Sequence, residues 1–245
     1  MKKLPCLALL LFAFSLNAQA PEPVPLAHGN VPGEPHHHLK IENEYVRVYY
    51  VEVPPHESTQ LHQHDHDYLY VSLGPADVVN AVRDKPEVHL VFKDGETHFT
   101  RGGFAHVARN LSEAPFRNVT IELLKPQEDA RNVCGEVIFN QGARTCHVID
   151  VAITQFETAE VTLEYVTFSP NEKRGGKQPK LAFLVIGLDG PEVKIEAKGK
   201  PRKTLREGEV EWFDAGSDVQ FSSESTKAAQ FLKLTFKDSA LHSKP

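Results

Sequence analysis

Histidines recur at close spacing between residues 62 and 71, where an aromatic and apolar run follows them. The run of Tyr, Leu, Tyr and Val predicts a β-strand that ends at the Gly74-Pro75 turn. Side chains alternate between the two faces of a strand, so one face is expected to carry His62, His64, His66, Tyr68 and Tyr70. Imidazoles two residues apart on one face can converge on a metal ion, and His106 on a distant strand could supply a third.

The two histidine segments resemble the two sequence motifs of the cupin superfamily. The first motif is His-x-His, then Glu after three or four residues, then Gly at the following turn. This chain has His62, His64 and Gly74, but Tyr68 stands where the family has glutamate. The second motif, Gly-x-x-His-x-x-x-Asn, is matched with every spacing kept over residues 103 to 110.

The resemblance implies a small double-sheet β-barrel with a metal ion inside its mouth. It also implies that His62, His64 and His106 are the metal ligands. The fourth ligand is left open, because no carboxylate occupies position 68. The histidine run at residues 36–38 leaves a second question open: it could bind metal, or it could begin the first strand with one ring buried and the others in solvent.

Two further residues on the expected inward face are candidate catalytic groups. Tyr68 could be a weak phenolic ligand, a hydrogen-bond donor behind the ligands, or a packing residue; a neutral phenol is a poor ligand, which favours the last two. His66 could carry a proton near neutral pH, although it could equally have no role in the site.

Three neutral imidazoles would leave two or three coordination positions open. On iron these could take O2 and a substrate atom, whereas on zinc, manganese or nickel they could take water or a chelating substrate. A cupin with three histidines and no glutamate resembles the thiol- and diketone-cleaving dioxygenases in ligand count. We therefore expect a divalent transition metal (Fe, Mn, Ni, Cu or Zn) and a dioxygenase-like or other metal-dependent enzyme acting on a small molecule. The alternative is a non-catalytic binding or structural protein in which the metal stabilises the first barrel.

The chain as a whole is predicted to be all-β, because many short Val- and Tyr-rich segments alternate with turns. Its second half repeats the pattern of the first, so we predict two tandem cupin-type jelly-roll barrels, residues 36–125 and 147–240. Residues 126–146 connect them and contain Cys134 and Cys146, which are expected to form a disulfide in an exported protein.

The internal alignment predicts that the second barrel has lost the metal ligands. It sets Lys177 on His62, Pro179 on His64, Phe183 on Tyr68, and Gly208–Glu211 on Gly103–His106. Such a barrel would be metal-free and would pack against the first.

Residues 1–20 have a basic start, a short apolar run and an Ala-x-Ala end, which is typical of a signal peptide. The protein is therefore expected to be exported and to be periplasmic or secreted. The apolar run is too short to span a membrane. Residues 21–35 are rich in proline and are predicted to be an extended linker.

Removal of residues 1–20 would leave 25 basic and 33 acidic residues, a net charge of −8 with neutral histidines. This charge makes nucleic acid and anionic membrane surfaces poor partners and favours a small-molecule ligand. Cupins frequently dimerise, so a homodimer is left open.

Overall fold

The computed structural model describes residues 29–139, 141–142, 146, 151–177 and 180–237. The predicted signal peptide lies outside these residues, as does the predicted linker up to residue 28. From Gly29 onward the chain is folded against the first barrel: a short strand, a 3-10 turn at Val31–Gly33, and then the first long strands. Among the described residues, no helix is long and apolar enough to cross a membrane.

The described residues form an all-β structure without an α-helix, as predicted. Its first half contains ten strands, which are β1 (Gly29–Asn30), β2 (His37–Glu42), β3 (Val46–Val53), β4 (His62–His64), β5 (Asp67–Ser72), β6 (Ala76–Val82), β7 (Val88–Phe92), β8 (Thr97–Thr100), β9 (Phe104–Asn110) and β10 (Phe116–Leu123). Its second half contains β11 (Arg131–Asn132), β12 (Ala152–Glu157), β13 (Val161–Phe168), β14 (Lys173–Lys177), β15 (Ala182–Gly187), β16 (Val193–Ala197), β17 (Lys203–Leu205), β18 (Val210–Phe213), β19 (Asp218–Ser222) and β20 (Ala229–Phe236).

The two halves have the same topology. The first half has one sheet in the order β1-β4-β9-β6-β7 and a second in the order β2-β3-β10-β5-β8. The second half has sheets β14-β19-β16-β17 and β11-β12-β13-β20-β15-β18. Apart from β1 and β11, the orders correspond strand for strand, which confirms two tandem double-sheet barrels.

Alternation along the strands builds four apolar clusters among the described residues. On β10, Val119 and Ile121 face a large cluster shared between the barrels, whereas Asn118, Thr120 and Glu122 face the interior of the first barrel. The shared cluster includes Phe99 of the first half and Phe156 of the second, whose ring centroids are 4.9 Å apart. This shared core packs the two barrels together.

The predicted single strand from residue 62 to residue 71 is in fact two strands. β4 belongs to the first sheet and β5 to the second, and the chain crosses between them at Asp65 and His66. Gly102 lies against this corner so closely that a Cβ there would be 2.4 Å from the carbonyl carbon of His66. The backbone of Gly102 also donates to Asp67 Oδ1 (3.0 Å), which fixes the corner.

The internal alignment is correct at β13 and β15 and displaced at β14 and at Gly208–Glu211. Phe183 lies opposite Thr235 of β20 just as Tyr68 lies opposite Glu122 of β10, so Phe183 does occupy the place of Tyr68. Gly208, which had been set on Gly103, instead repeats Gly95, because each donates its N–H to the end of the equivalent strand (Gly187 and Ser72).

The residue equivalent to His106 is therefore Val219 rather than Glu211. The register of β14 with β19 sets Gly176 opposite Val219, as His62 lies opposite His106, so Gly176 replaces Lys177 in the alignment. Pro179 lies outside the described residues. The interior of the second barrel is filled by apolar side chains, including Phe168, Phe183, Phe213, Phe221 and Phe231.

A disulfide joins Cys134 and Cys146, whose Cα atoms are 5.5 Å apart. The loop that it closes buries Val137 in the core between the barrels. It also stacks Phe139 on His98 of the first barrel, with ring centroids 4.2 Å apart and planes within 4°.

Candidate metal centre

Four imidazoles converge inside the first barrel. His62 and His64 come from β4, His106 lies opposite His62 on β9, and His37 begins β2. The ring centroid of His62 is 4.5 Å from that of His106 and 4.7 Å from that of His37, and the centroids of His64 and His106 are 5.2 Å apart. Ligand atoms of His37, His62 and His64 all lie within 4.8 Å of one another.

The Nδ1 atoms of three of these rings are held by oxygen acceptors. His62 donates to the carbonyl of Gln60 (2.9 Å), and His106 donates to Asn80 Oδ1 (2.7 Å). His37 donates to the carboxylate of Glu34 (2.5 Å). Because each oxygen can only accept, each Nδ1 carries a proton, and in a neutral ring Nε2 then keeps its lone pair.

The free nitrogens fit a metal ion. Nε2 of His62 and Nε2 of His106 are buried and have no hydrogen-bond partner, although a buried polar atom normally finds one. Imidazoles whose other nitrogen is held by a carbonyl or carboxylate are the usual arrangement at protein metal sites. The donor set of neutral nitrogens suits the later first-row transition metals rather than calcium or magnesium.

Burial keeps His62, His64 and His106 neutral, which is the form that binds metal. Burial and then the proximity of His37 lower the pKa of His62 to about 4. The pKa values of His64 and His106 are held well below the ordinary value, first by burial and then by the other histidines.

Sequence reasoning left the part played by His37 open and did not consider Glu34. Glu34 is 3% exposed and accepts three hydrogen bonds: from His37 Nδ1, from the backbone of His36 (2.9 Å) and from the backbone of Gln60 (3.0 Å). Burial raises its pKa, but these hydrogen bonds and the nearby histidines outweigh burial, so its pKa is lowered. The only signal in the sequence was the histidine run at residues 36–38, of which His38 is exposed.

Tyr68 is buried beside the histidines, and its ring stacks on His64 at 4.1 Å with planes 19° apart. Its hydroxyl hydrogen bonds with Thr100, and burial raises its pKa. Tyr68 therefore packs against His64, and it also lines the cavity. His66, in contrast, lies at the corner between the two sheets and is not among the cavity-lining residues.

A cavity of about 80 Å³ adjoins the four histidines. This is room for several water molecules or one small ligand. Beyond the histidines, its walls are aromatic and aliphatic side chains with neutral amides and hydroxyls, among them Tyr70, Leu90, Phe92, Phe116, Asn118 and Thr120. Asn110, the last residue of the second motif, is not among the cavity-lining residues: its side-chain amide donates to the carbonyls of Val53, Pro54 and Ala114 and ties a turn.

The structure is similar to solved cupin-type proteins. Salicylate 1,2-dioxygenase from Pseudaminobacter salicylatoxidans superposes with a TM-score of 0.58 at 11% identity, over 83% of this chain and 76% of that one. The chain has the cupin fold. AerE from Microcystis aeruginosa matches with a TM-score of 0.56 at 11% identity (83% and 98% of the chains), and a cupin 2 conserved barrel domain protein from Leptotrichia buccalis with 0.50 at 12% identity (82% and 88%).

At these identities the likeness shows the fold alone. No protein-family model matches the sequence, and no curated protein matches it. Any statement about chemistry in this protein therefore depends on its own residues.

Proposed function

We propose that the first barrel binds one divalent transition metal ion through His37, His62, His64 and His106, and that the protein is an exported, dioxygenase-like enzyme acting on a small molecule. The observation that carries this proposal is the convergence of four imidazoles, two of them with buried and unpaired Nε2 atoms, at the wall of a cavity.

The histidine set accounts for metal binding without a carboxylate ligand. Four imidazoles leave the charge of the ion uncompensated, so it would act as a strong Lewis acid, and a redox-active ion would also support chemistry with O2. The carboxylate that the family motif has at position 68 is absent, and His37 supplies the extra donor from another strand.

The cavity supports catalysis rather than a purely structural site. Its wall beyond His106 is formed by Ala108, Phe116 and Asn118, which can exclude water and orient a bound molecule. A few polar groups among apolar walls are typical of small-molecule sites. One of the similar structures is of a salicylate 1,2-dioxygenase mutant in complex with gentisate, so small aromatic acids belong in the first substrate panel.

Export is supported by the N-terminal sequence and by the Cys134–Cys146 disulfide. Disulfides persist in oxidising compartments such as the periplasm or the extracellular space. A periplasmic or secreted location is consistent with both features.

The second candidate is a non-catalytic protein in which the metal stabilises the first barrel. His37 favours it, because it takes up a position that three histidines alone would leave open. Glu34 favours it as well, since it ties His37 to the loop before β4 and so would couple metal binding to folding.

Oxygen uptake by the metal-loaded protein separates the two candidates. The protein is loaded in turn with iron, manganese, nickel, copper and zinc and assayed with a panel of small aromatic acids, phenols, hydroxyacids and diketones, beside His106→Ala and the exposed control His38→Ala. If the protein is an enzyme, we expect oxygen uptake with at least one redox-active metal. This uptake should be abolished in His106→Ala and retained in His38→Ala. A metal-dependent rise in unfolding temperature with no turnover on any member of the panel favours the structural candidate.

A further inference from the structure

A row of inward-facing side chains crosses the second sheet of the first barrel beside the histidines. Strand register places Glu42 of β2 opposite Arg47 of β3, Arg47 opposite Glu122 of β10, Glu122 opposite Tyr68 of β5, and Tyr68 opposite Thr100 of β8. Cross-strand neighbours in such a row are the pairs whose side chains interact. Glu122 is at the centre of the row and is only 2% exposed.

Glu122 points one carboxylate oxygen at His64 and the other at Arg47. Its Oε1 is 3.4 Å from His64 Nδ1, and its Oε2 is 3.8 Å from Arg47 Nη1. Arg47 is itself anchored by a hydrogen bond of 2.8 Å to Glu42. Arg47 therefore holds the Oε2 side of the Glu122 carboxylate, and Oε1 faces the imidazole of His64.

His64 lacks the partner that the other three histidines have. Nδ1 of His62, His106 and His37 each donates to an oxygen, but Nδ1 of His64 is buried without a completed hydrogen bond. The nearest acceptor is Glu122, a few tenths of an ångström beyond hydrogen-bond distance. Tyr68 already packs against the face of the His64 ring.

We infer that Glu122 is the positioning residue for His64. Its carboxylate accepts a hydrogen bond from Nδ1–H, which leaves the lone pair of Nε2 of His64 to bind the metal. The first motif has no carboxylate at position 68. Glu122 supplies one from the paired strand β10, and it acts through His64 instead of contacting the metal. This inference rests on the metal site of the proposed function and adds a residue to it.

Cobalt binding to the full-length protein tests this role without requiring a substrate. Co²⁺ affinity is measured by competition with a chelator, the visible spectrum of bound Co²⁺ reports the ligand geometry, and thermal unfolding of the metal-free protein reports stability. The variants are Glu122→Leu, which removes the acceptor, and Glu122→Gln, which keeps an acceptor oxygen without the charge. Glu96→Gln is the matched control, because Glu96 pairs with His98 (2.9 Å) in the same barrel outside the four-histidine cluster.

Loss of an oxygen partner behind a metal-bound histidine typically costs about 10- to 100-fold in metal affinity. We expect Glu122→Leu to weaken Co²⁺ binding by about 100-fold with an altered spectrum, and Glu122→Gln by about 10-fold with the wild-type spectrum. The metal-free variants should unfold near the wild-type temperature, because Glu122 completes no hydrogen bond with His64 and lies 3.8 Å from Arg47, which keeps its hydrogen bond to Glu42. Glu96→Gln should bind Co²⁺ as wild type does.

Wild-type affinity and spectrum in Glu122→Leu would overturn the inference. So would an affinity loss in both Glu122 variants that is matched by an equal loss of metal-free stability, which would make the residue structural. Absence of Co²⁺ binding by the wild-type protein would overturn the metal site itself, and this inference with it.

Discussion

Replacing Glu34 with glutamine should lower the stability of the metal-free protein and also weaken metal binding. One oxygen of Glu34 accepts from the backbone of Gln60, and the other accepts from His37 Nδ1 and the backbone of His36. A glutamine has only one acceptor oxygen, so its NH2 group would face at least one of these donors. Buried donors would then be left without a partner.

The magnitude follows from the number of bonds affected. Hydrogen bonds to a charged group contribute about 1.5 to 3 kcal/mol each, and breaking a buried charged contact typically costs about 3 to 5 kcal/mol in total. We therefore expect Glu34→Gln to lower the free energy of unfolding of the metal-free protein by about 3 to 5 kcal/mol. Metal affinity should fall by about 10- to 100-fold, because His37 loses the acceptor that orients it.

Urea unfolding of the metal-free protein and chelator competition for metal binding measure the two effects. Glu44→Gln is the control, since Glu44 is an exposed glutamate next to the turn before β3. The pKa of Glu34 is lowered from 4.5, so the carboxylate contributes stability at neutral pH that is lost as the pH falls below that value. A loss below about 1 kcal/mol in Glu34→Gln, with unchanged metal affinity, would refute the reasoning.

Three further predictions concern the first barrel and its disulfide loop. Tyr68→Phe should keep the stacking on His64 and bind metal within about twofold of wild type, while losing about 1 kcal/mol of stability with its hydrogen bond; loss of the metal would instead make the phenol a ligand. The pKa of His62 is lowered from 6.5 to about 4, so the unfolded chain takes up this proton first as the pH falls. The free energy of unfolding of the metal-free protein should therefore fall by about 3 kcal/mol from His62 alone between pH 6.5 and pH 4. An unfolding free energy that stays constant over that range would contradict this. Cys134→Ser should lower stability by about 3 kcal/mol relative to the oxidised wild type in urea unfolding, and reductant should have the same effect on the wild type but none on the variant.

The sequence contained enough to predict the fold and three of the four converging histidines. Short β segments, turn glycines and the spacing of the second motif are local features, and local features can be read without a structure. His37 could not be assigned in this way, because its position depends on the pairing of β2 with β3 and on a hydrogen bond to Glu34. In sequence it looked like any exposed member of a histidine run.

The errors arose where the structure depends on contacts between segments that are distant in sequence. The strand from residue 62 to residue 71 was expected to be continuous because its apolar run gives no sign of the corner at His66, which forms only when Gly102 packs against it. The displaced alignment of the second half arose because Gly208 and Gly216 both adopt a positive φ at turns before strands. Only the hydrogen-bond register shows that Gly216 is the counterpart of Gly103.

Metal analysis of the mature protein, purified without a tag, tests the central claim most directly. Wild type, His37→Ala, His106→Ala and the exposed control His38→Ala are each reconstituted with a single divalent transition metal and desalted. The four-histidine site predicts about one ion per chain in wild type and His38→Ala, none in His106→Ala, and a weakened, partly occupied site in His37→Ala. Wild-type protein that retains no metal after reconstitution, or equal metal content in all four proteins, would contradict it.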